Sequence, residues 1–459
     1  MSAPTPAPAG LRRSLQRRHM QMIALGGVIG AGLFVGSGVV IASAGPAAII
    51  SFALTGTLVV LVMRMLGEMA VAYPAIGGFY EYNRLALGEL AGFLTGWMYW
   101  YFWVIVVGLE AVAGAKILGL WWPTIAPWQF TLALMTVFTV VNLLSVRSYG
   151  EAEFWFASIK VAAIVAFLCG GALFVLGAWP GAAGGVPHLT AHGGFMPNGI
   201  VPVLTGAVAA TGFYFGAEIV TLAAAESAEP EMAVARTTQS VIWRVLTFYI
   251  GSIFLVVAIV PWNDTARMER PYVSVLEALQ VRGAATLMSL VILTAVLSAL
   301  NSGLYASSRM LMALARHGEA PAAFARLDAR GVPVAAILGS TAFGYVTVAM
   351  SYVSPTRIFA FLVNSYGTVA IFVYVLIAVA ELKLRRRLES EMPGRLRIRM
   401  WGFPWLTRFT IAAMLAVVAS MAVIPEQRAP LVFGLLSVAV LLSAYGLRRA
   451  TRPRAGSVP

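Results

Sequence analysis

One cysteine, Cys169, in a chain of 459 residues leaves nothing to build an intramolecular disulfide or a cysteine metal cluster. Histidine is nearly as scarce. His19, His188, His192 and His317 are the full set, and none has metal-ligand spacing with another within a helix. No metal and no cofactor are therefore expected. No nucleophile–histidine–acid set falls at bilayer depth either, which argues against an intramembrane enzyme. Charge is thin: Asp, Glu, Lys and Arg make up 11% of the chain, against 60% hydrophobic residues. A soluble domain has no use for that much apolar surface, so the composition is that of a polytopic membrane protein. Its apolar runs are continuous rather than alternating in ten-residue segments, which excludes a transmembrane barrel. The Pro/Ala-rich start, Ser2–Gly10, lacks the apolar core and cleavage pattern of a signal peptide.

Twelve windows of roughly 20 apolar residues fit between residues 20 and 447. They predict an all-α protein with twelve transmembrane helices. Residues 1–19 read as a disordered tail, 382–403 as a basic loop, 404–449 as the last two windows and 450–459 as a second tail. The net charge of +13 is clustered in places that exclude a nucleic-acid surface. Arg12, Arg13, Arg17 and Arg18 precede the first window. Arg316, Arg326 and Arg330 follow the eighth. Lys383, Arg385, Arg386, Arg387, Arg395, Arg397 and Arg399 fill the loop after the tenth, and Arg448, Arg449, Arg452 and Arg454 end the chain. With twelve crossings these all fall on one side, and the positive-inside rule makes that side, with both termini, cytoplasmic. The bilayer is the expected environment, with some attraction of this face to anionic lipid. The oligomeric state cannot be read from the sequence.

Two windows break the rule that membrane helices avoid glycine. The first carries Gly26, Gly27, Gly30, Gly32, Gly36 and Gly38. Glycine weakens a helix by about 1 kcal/mol relative to alanine and lets a ligand come close to the backbone. Taken alone, this stretch reads equally as close helix packing or as a broken helix offering bare backbone groups to a polar solute. The sixth window then repeats the oddity in Thr211-Gly-Phe-Tyr-Phe-Gly-Ala-Glu218. Windows five apart have opposite orientations. The pair thus predicts an inverted repeat, 20–178 and 200–381, with an interrupted helix opening each half.

Ionisable residues inside the windows face the bundle interior or water. Glu110, in the third window, shares a helical face with Trp103 and Val107; a structural hydrogen bond and contact with a solute both fit. Lys160, in the fifth, is the only lysine placed within a membrane core. Isolated ammonium costs about 2.5–3.5 kcal/mol there, which suits a group that gives up and regains a proton; the alternative is a side chain that snorkels to the cytoplasmic face. Glu218 lies beside the second glycine break. Arg64 and Glu68, four apart, predict an ion pair. Ser298, Asn301, Ser302 and Tyr305 in the eighth window either face a site or bond across helices. Pro271–Gln280 reads as a short surface helix and a lid.

Several stretches resemble one family. They include Leu11–Gly27, Gly30-Ala-Gly-Leu-Phe, Met63-Arg-Met-Leu-Gly-Glu-Met, Gly150-Glu-Ala-Glu-Phe-Trp-Phe, Gly216-Ala-Glu-Ile-Val-Thr, Pro261-Trp-Asn and Ser308-Arg-Met-Leu. Over about residues 11–450 the chain is similar to amino acid permeases of the amino acid–polyamine–organocation superfamily, in the bacterial amino acid transporter branch, and most like its γ-aminobutyrate permeases. The resemblance implies a 5+5 inverted-repeat core plus two helices, a small zwitterionic amino acid as substrate and protons as coupling ion. It implies that the N–H groups of Ile29, Gly30, Ala31 and Gly32 take the substrate carboxylate. The C=O groups near Gly212, Phe213 and Phe215 would take its amine. Trp103, Val107, Asn301 and Ser302 complete the expected lining. Lys160 matches the helix-5 lysine standing where ion-coupled relatives hold sodium, and Glu218 matches the family's helix-6 glutamate, which either stabilises the break or joins a proton route; Glu110, from its depth in the third window, is a further proton-coupling candidate. The chain departs from the pattern at Gly212, where many relatives have an aromatic residue.

Overall fold

The structure is a computed structural model that describes residues 15–26, 29–30, 32–73, 77–223, 226 and 230–451. Among them there are helices and no strands. The first half holds α1 (Arg17–Gly26), α2 (Ser37–Ala44), α3 (Ala48–Ala72), α4 (Phe79–Leu87), α5 (Glu89–Trp121), α6 (Pro127–Leu144) and α7 (Val146–Val175). The second holds α8 (Ile200–Ala210), α9 (Ile219–Ala223), α10 (Pro230–Ile259), α11 (Thr265–Met268), α12 (Pro271–Ala278), α13 (Ala284–Arg316), α14 (Val334–Val353) and α15 (Pro355–Glu391). Two more, α16 (Trp405–Val423) and α17 (Pro425–Thr451), follow. Among the described residues eight helical stretches are long and apolar enough to cross a membrane, and a shorter apolar helix, Ile200–Phe213, comes from the interrupted sixth window.

Both predicted interruptions are present. In the first window α1 stops at Gly26, and the chain resumes as a π-helical turn, Gly32–Gly36, leading into α2. In the sixth, α8 passes into a 3-10 turn, Thr211–Phe213, and leaves the helix before α9. Gly216 there has φ +123°, a conformation that side chains with a Cβ rarely adopt.

The two halves meet through corresponding elements. α3 packs on α10, α5 on α13, and α6 on α14, while the π turn of the first window touches the 3-10 turn of the sixth. Each pair occupies the same place in its own half, as expected about a pseudo-two-fold axis relating an inverted repeat. α5 and α13 form the centre. α16 and α17 lie against α15 on the periphery, α16 also touching α3 and α17 also touching α5.

Two expectations give way to tertiary contacts. The tail does not extend to residue 19: Leu15 and His19 are buried, and α1 has begun by Arg17. Residues 1–14 and 452–459 lie outside the described residues. Arg64 and Glu68 do not pair. Glu68 instead binds Arg385 and accepts from the Met400 N–H (2.5 Å). Arg64 donates to the Arg399 carbonyl (3.0 Å) and lies over Trp401. Weak local i,i+4 pairing loses here to a buried partner on α15, which runs past residue 381 as helix. We expect Arg385→Ala to strand the buried Glu68 carboxylate at a cost of about 3–5 kcal/mol. The readout is a lower unfolding temperature in detergent, with recovery in the uncharged pair Glu68→Gln/Arg385→Met.

Candidate functional site

Lys160 ties the first interruption to the bundle. It points inward from α7, fully buried, instead of snorkelling to a face. Its Nζ donates to the Gly26 carbonyl (2.6 Å), the Ile29 carbonyl (2.8 Å) and Ser298 Oγ of α13 (2.8 Å). The first two are backbone acceptors at the helix end and just beyond it, where an α-helix leaves carbonyls without partners and the macrodipole is negative. One ammonium thus satisfies the broken backbone and is itself satisfied. Ser298 Oγ in turn donates to Glu153 Oε1 (2.5 Å). Glu153 is also fully buried.

Beside this anchor the backbone is accessible. A Cβ on Gly30 would meet no described atom within 4 Å. Gly32 and Gly36 are the opposite case: Cβ atoms there would stand 2.6 Å from Phe213 Cδ1 and 2.5 Å from Phe213 Cζ. The Phe213 ring therefore lies along a glycine ridge of the first window and joins the two interruptions. The ring stacks on Phe52, and its carbonyl accepts from Tyr249 Oη (2.6 Å). The aromatic residue that covers the first window is thus one position beyond Gly212.

Glu218 holds the second interruption. Its Oε2 accepts from the Gly216 N–H (3.0 Å) and from Tyr374 Oη of α15 (2.9 Å). Its Oε1 accepts from Tyr99 Oη of α5 (3.0 Å). Phe215 packs among Phe102, Tyr99 and Tyr374. A carboxylate with three donors is a latch for the irregular backbone, consistent with its burial. Glu218→Ala leaves three buried donors unsatisfied at about 1–3 kcal/mol each. The expected result is a clear drop in unfolding temperature together with weaker substrate binding, smaller for Glu218→Gln, which keeps one acceptor.

The remaining candidates separate. Trp103 and Val107 press against Gly303 of α13, and Val107 belongs to the cluster of Met135, Phe138, Leu300 and Leu304. Asn301 accepts from Asn142 of α6 (3.1 Å), and Ser302 lies 3.5 Å from Tyr149 Oη. Trp103 and Val107 therefore stand in the packing of α5 and α13, while Asn301 and Ser302 also reach the Glu153 carboxylate. Glu110 is buried, its Oε2 has no hydrogen-bond partner among the described residues, and it is close enough to Lys160 for each charge to act on the other. Ala31 lies outside the described residues. Glu153 is an addition to the candidate set, and Ser298, one of the polar residues of the eighth window, is the one that bonds Lys160. The sequence held a signal for Glu153: residues 153, 157 and 160 share one helical face.

Among the described residues, contacts bridge the elements at both ends of this region. On the face carrying the chain ends, the Leu15 N–H donates to the Glu226 carbonyl (3.1 Å). The Glu226 carboxylate accepts from Arg309 Nε (2.7 Å), with both side chains buried. The Arg309 guanidinium lies over Tyr305, which stacks on Tyr149 with centroids 4.0 Å apart. On the other face α12 sits over the first window. Tyr272 packs on Phe34 and Phe167 and donates to Ser252 Oγ (2.8 Å), and a Cβ on Gly38 would collide with the Met268 carbonyl.

A family model described as amino acid permease matches residues 19–447. Among curated proteins, the γ-aminobutyric acid permease of Bacillus subtilis is 49% identical over 443 residues, covering 96% of this chain and 94% of its own. That of Escherichia coli is 45% identical over 437 residues, 95% and 94%. The aromatic amino acid transport protein of Corynebacterium glutamicum is 41% identical over 418 residues, 90% of each. Among solved structures, a nucleobase-cation-symport-1 family transporter in a closed conformation with bromovinylhydantoin bound matches with a TM-score of 0.55. It covers 96% of this chain and 97% of its own at 15% identity, a likeness of fold alone.

Proposed function

This chain belongs to the amino acid permease family, and from that premise we propose that it imports a zwitterionic amino acid, γ-aminobutyrate or a close analogue, by proton symport and alternating access. The observation that carries the reading is the pairing of two helix interruptions, one with open space at Gly30 and a buried ammonium tied into it. The N–H groups of Gly30 and Gly32, before and at the start of the resumed first-window helix, attract a carboxylate. The carbonyls of the 212–216 turn accept from the amine, although that of Phe213 already serves Tyr249. Lys160 carries the coupled proton, its cation standing among three oxygen acceptors. The inner membrane is the proposed location, with the basic face and both termini in the cytoplasm. The face closed by Arg309 and Glu226 is then the inner gate, and α12 closes the outer one.

Uptake into proteoliposomes tests this. γ-Aminobutyrate is expected to accumulate only with an inward proton gradient, without sodium, and to show counterflow. Accumulation indifferent to the gradient removes the coupling, and flux without counterflow makes the protein a channel. A second reading, an aromatic amino acid carrier, draws support from the Corynebacterium relative. Phenylalanine uptake that γ-aminobutyrate fails to compete with would favour it.

A further inference from the structure

We propose that Glu153 is the partner that exchanges a proton with Lys160, and that the Ser298 hydroxyl carries it between them. This rests on Lys160 as the coupling group and adds where its proton goes. Lys160 Nζ donates to Ser298 Oγ at 2.8 Å, and the same oxygen donates to Glu153 Oε1 at 2.5 Å. A hydroxyl that accepts from the ammonium and donates to the carboxylate forms an unbroken Nζ–H···Oγ–H···Oε1 chain. All three side chains are fully buried, so nothing but protein separates the donor from the acceptor. Lys160 and Glu153 share a face of α7, seven residues apart, while Ser298 reaches in from α13.

The transfer balances. An N–H bond of Lys160 breaks as its proton joins Ser298 Oγ, and the O–H proton of Ser298 moves to Glu153 Oε1. Ammonium and carboxylate become amine and acid, Ser298 is regenerated, and no electrons change owner. Two buried charges disappear together, which a low-dielectric interior favours. Two other titratable groups, Glu110 and Tyr149, act electrostatically on its ends. Glu110 on α5 feels the Lys160 charge, yet among the described residues Lys160 bonds Gly26, Ile29 and Ser298 and not Glu110. Tyr149, one turn before Glu153 on α7, lies against Tyr305, with Arg309 and Glu226 beyond. A proton on Glu153 therefore has its exit towards the basic face, past the stack and ion pair that close it.

The exchange also reaches the backbone. Glu153 Oε1 occupies the place a Gly26 Cβ would take, so the carboxylate touches the same residue whose carbonyl Lys160 holds. A charge-assisted hydrogen bond is about twice as strong as a neutral one. Discharging Lys160 thus loosens α1 at its broken end as the proton moves on.

The test uses purified full-length protein in proteoliposomes with a pH-sensitive dye inside, and whichever of γ-aminobutyrate and phenylalanine the wild type accumulates. Ser298→Ala and Glu153→Gln are expected to lose accumulation and substrate-driven proton entry far more than counterflow, and Ser298→Thr to recover both. Ser298→Ala with wild-type proton entry per substrate overturns the relay. So does equal loss of counterflow and accumulation in both Ser298→Ala and Glu153→Gln. Lys160→Ala alongside separates the two ideas: its accumulating like the wild type overturns the underlying reading, whatever Ser298 does.

Discussion

Lys160→Ala is expected to turn an accumulating carrier into an exchanger. A proton crossing about 100 mV contributes about 2.3 kcal/mol, worth about 50-fold accumulation of a co-transported solute. Without the ammonium that contribution vanishes, and the inside-to-outside ratio falls towards about 1. Counterflow draws on no gradient and persists at a reduced rate, because the ends of the interruption lose their tie to Gly26 and Ile29. The variant also leaves Glu153 as a buried carboxylate with Ser298 but no cation, so its unfolding temperature falls as well. Lys160→Gln restores a donor and part of that stability without restoring accumulation. Equal loss of counterflow and accumulation in both variants would make Lys160 a structural residue only.

The second large effect separates two glycines only two positions apart. Gly32→Leu places carbon where Phe213 already lies, 2.6 Å from the would-be Cβ. Phe213 is stacked on Phe52 and its backbone is held by Tyr249, so the two interruptions must separate. Overpacking of a tight contact costs about 1–3 kcal/mol, and here the contact joins the two halves at the proposed site. Transport should be abolished and the unfolding temperature lowered. Gly30→Ala meets no such obstacle. It should fold like the wild type, yet weaken substrate binding by about tenfold, the equivalent of about 1.4 kcal/mol, if the substrate carboxylate takes the space beside Gly30. Binding by thermal shift and uptake measured together distinguish the cases. Normal affinity in Gly30→Ala would remove the backbone clamp from that position.

The contrast between these glycines marks what the sequence made legible. Glycine spacing located both interruptions, and the distance of five windows between them predicted the repeat that the pairing of α3 with α10 and α5 with α13 displays. The cost of an ammonium in hydrocarbon singled out Lys160. What remained hidden was partner identity, because partners come from distant helices. Ser298 is 138 positions from Lys160, and only folding brings its hydroxyl to the ammonium. Glu218 drew attention as a charge beside a break, but its role as a latch depends on Tyr99 and Tyr374 from opposite halves. The one local rule applied to charges, the Arg64–Glu68 spacing, failed because Glu68 is buried where Arg385 offers a better partner. Val107 shares a helical face with Glu110, but that face is wide enough for one residue to fill packing while the other lies within reach of the Lys160 charge.

The contact of Leu15 with Glu226 has a practical consequence. Arg18, which lies next to this contact and is paired with Glu151 at 2.5 Å, is a cleavage point for trypsin. A protease needs several residues of extended chain around the cut, and the start of α1 supplies them only when Leu15 has left the Glu226 carbonyl. The rate of nicking at Arg17 and Arg18, told from cuts at Arg12 and Arg13 by the mass of the released peptides, is therefore a clock for the opening of that face.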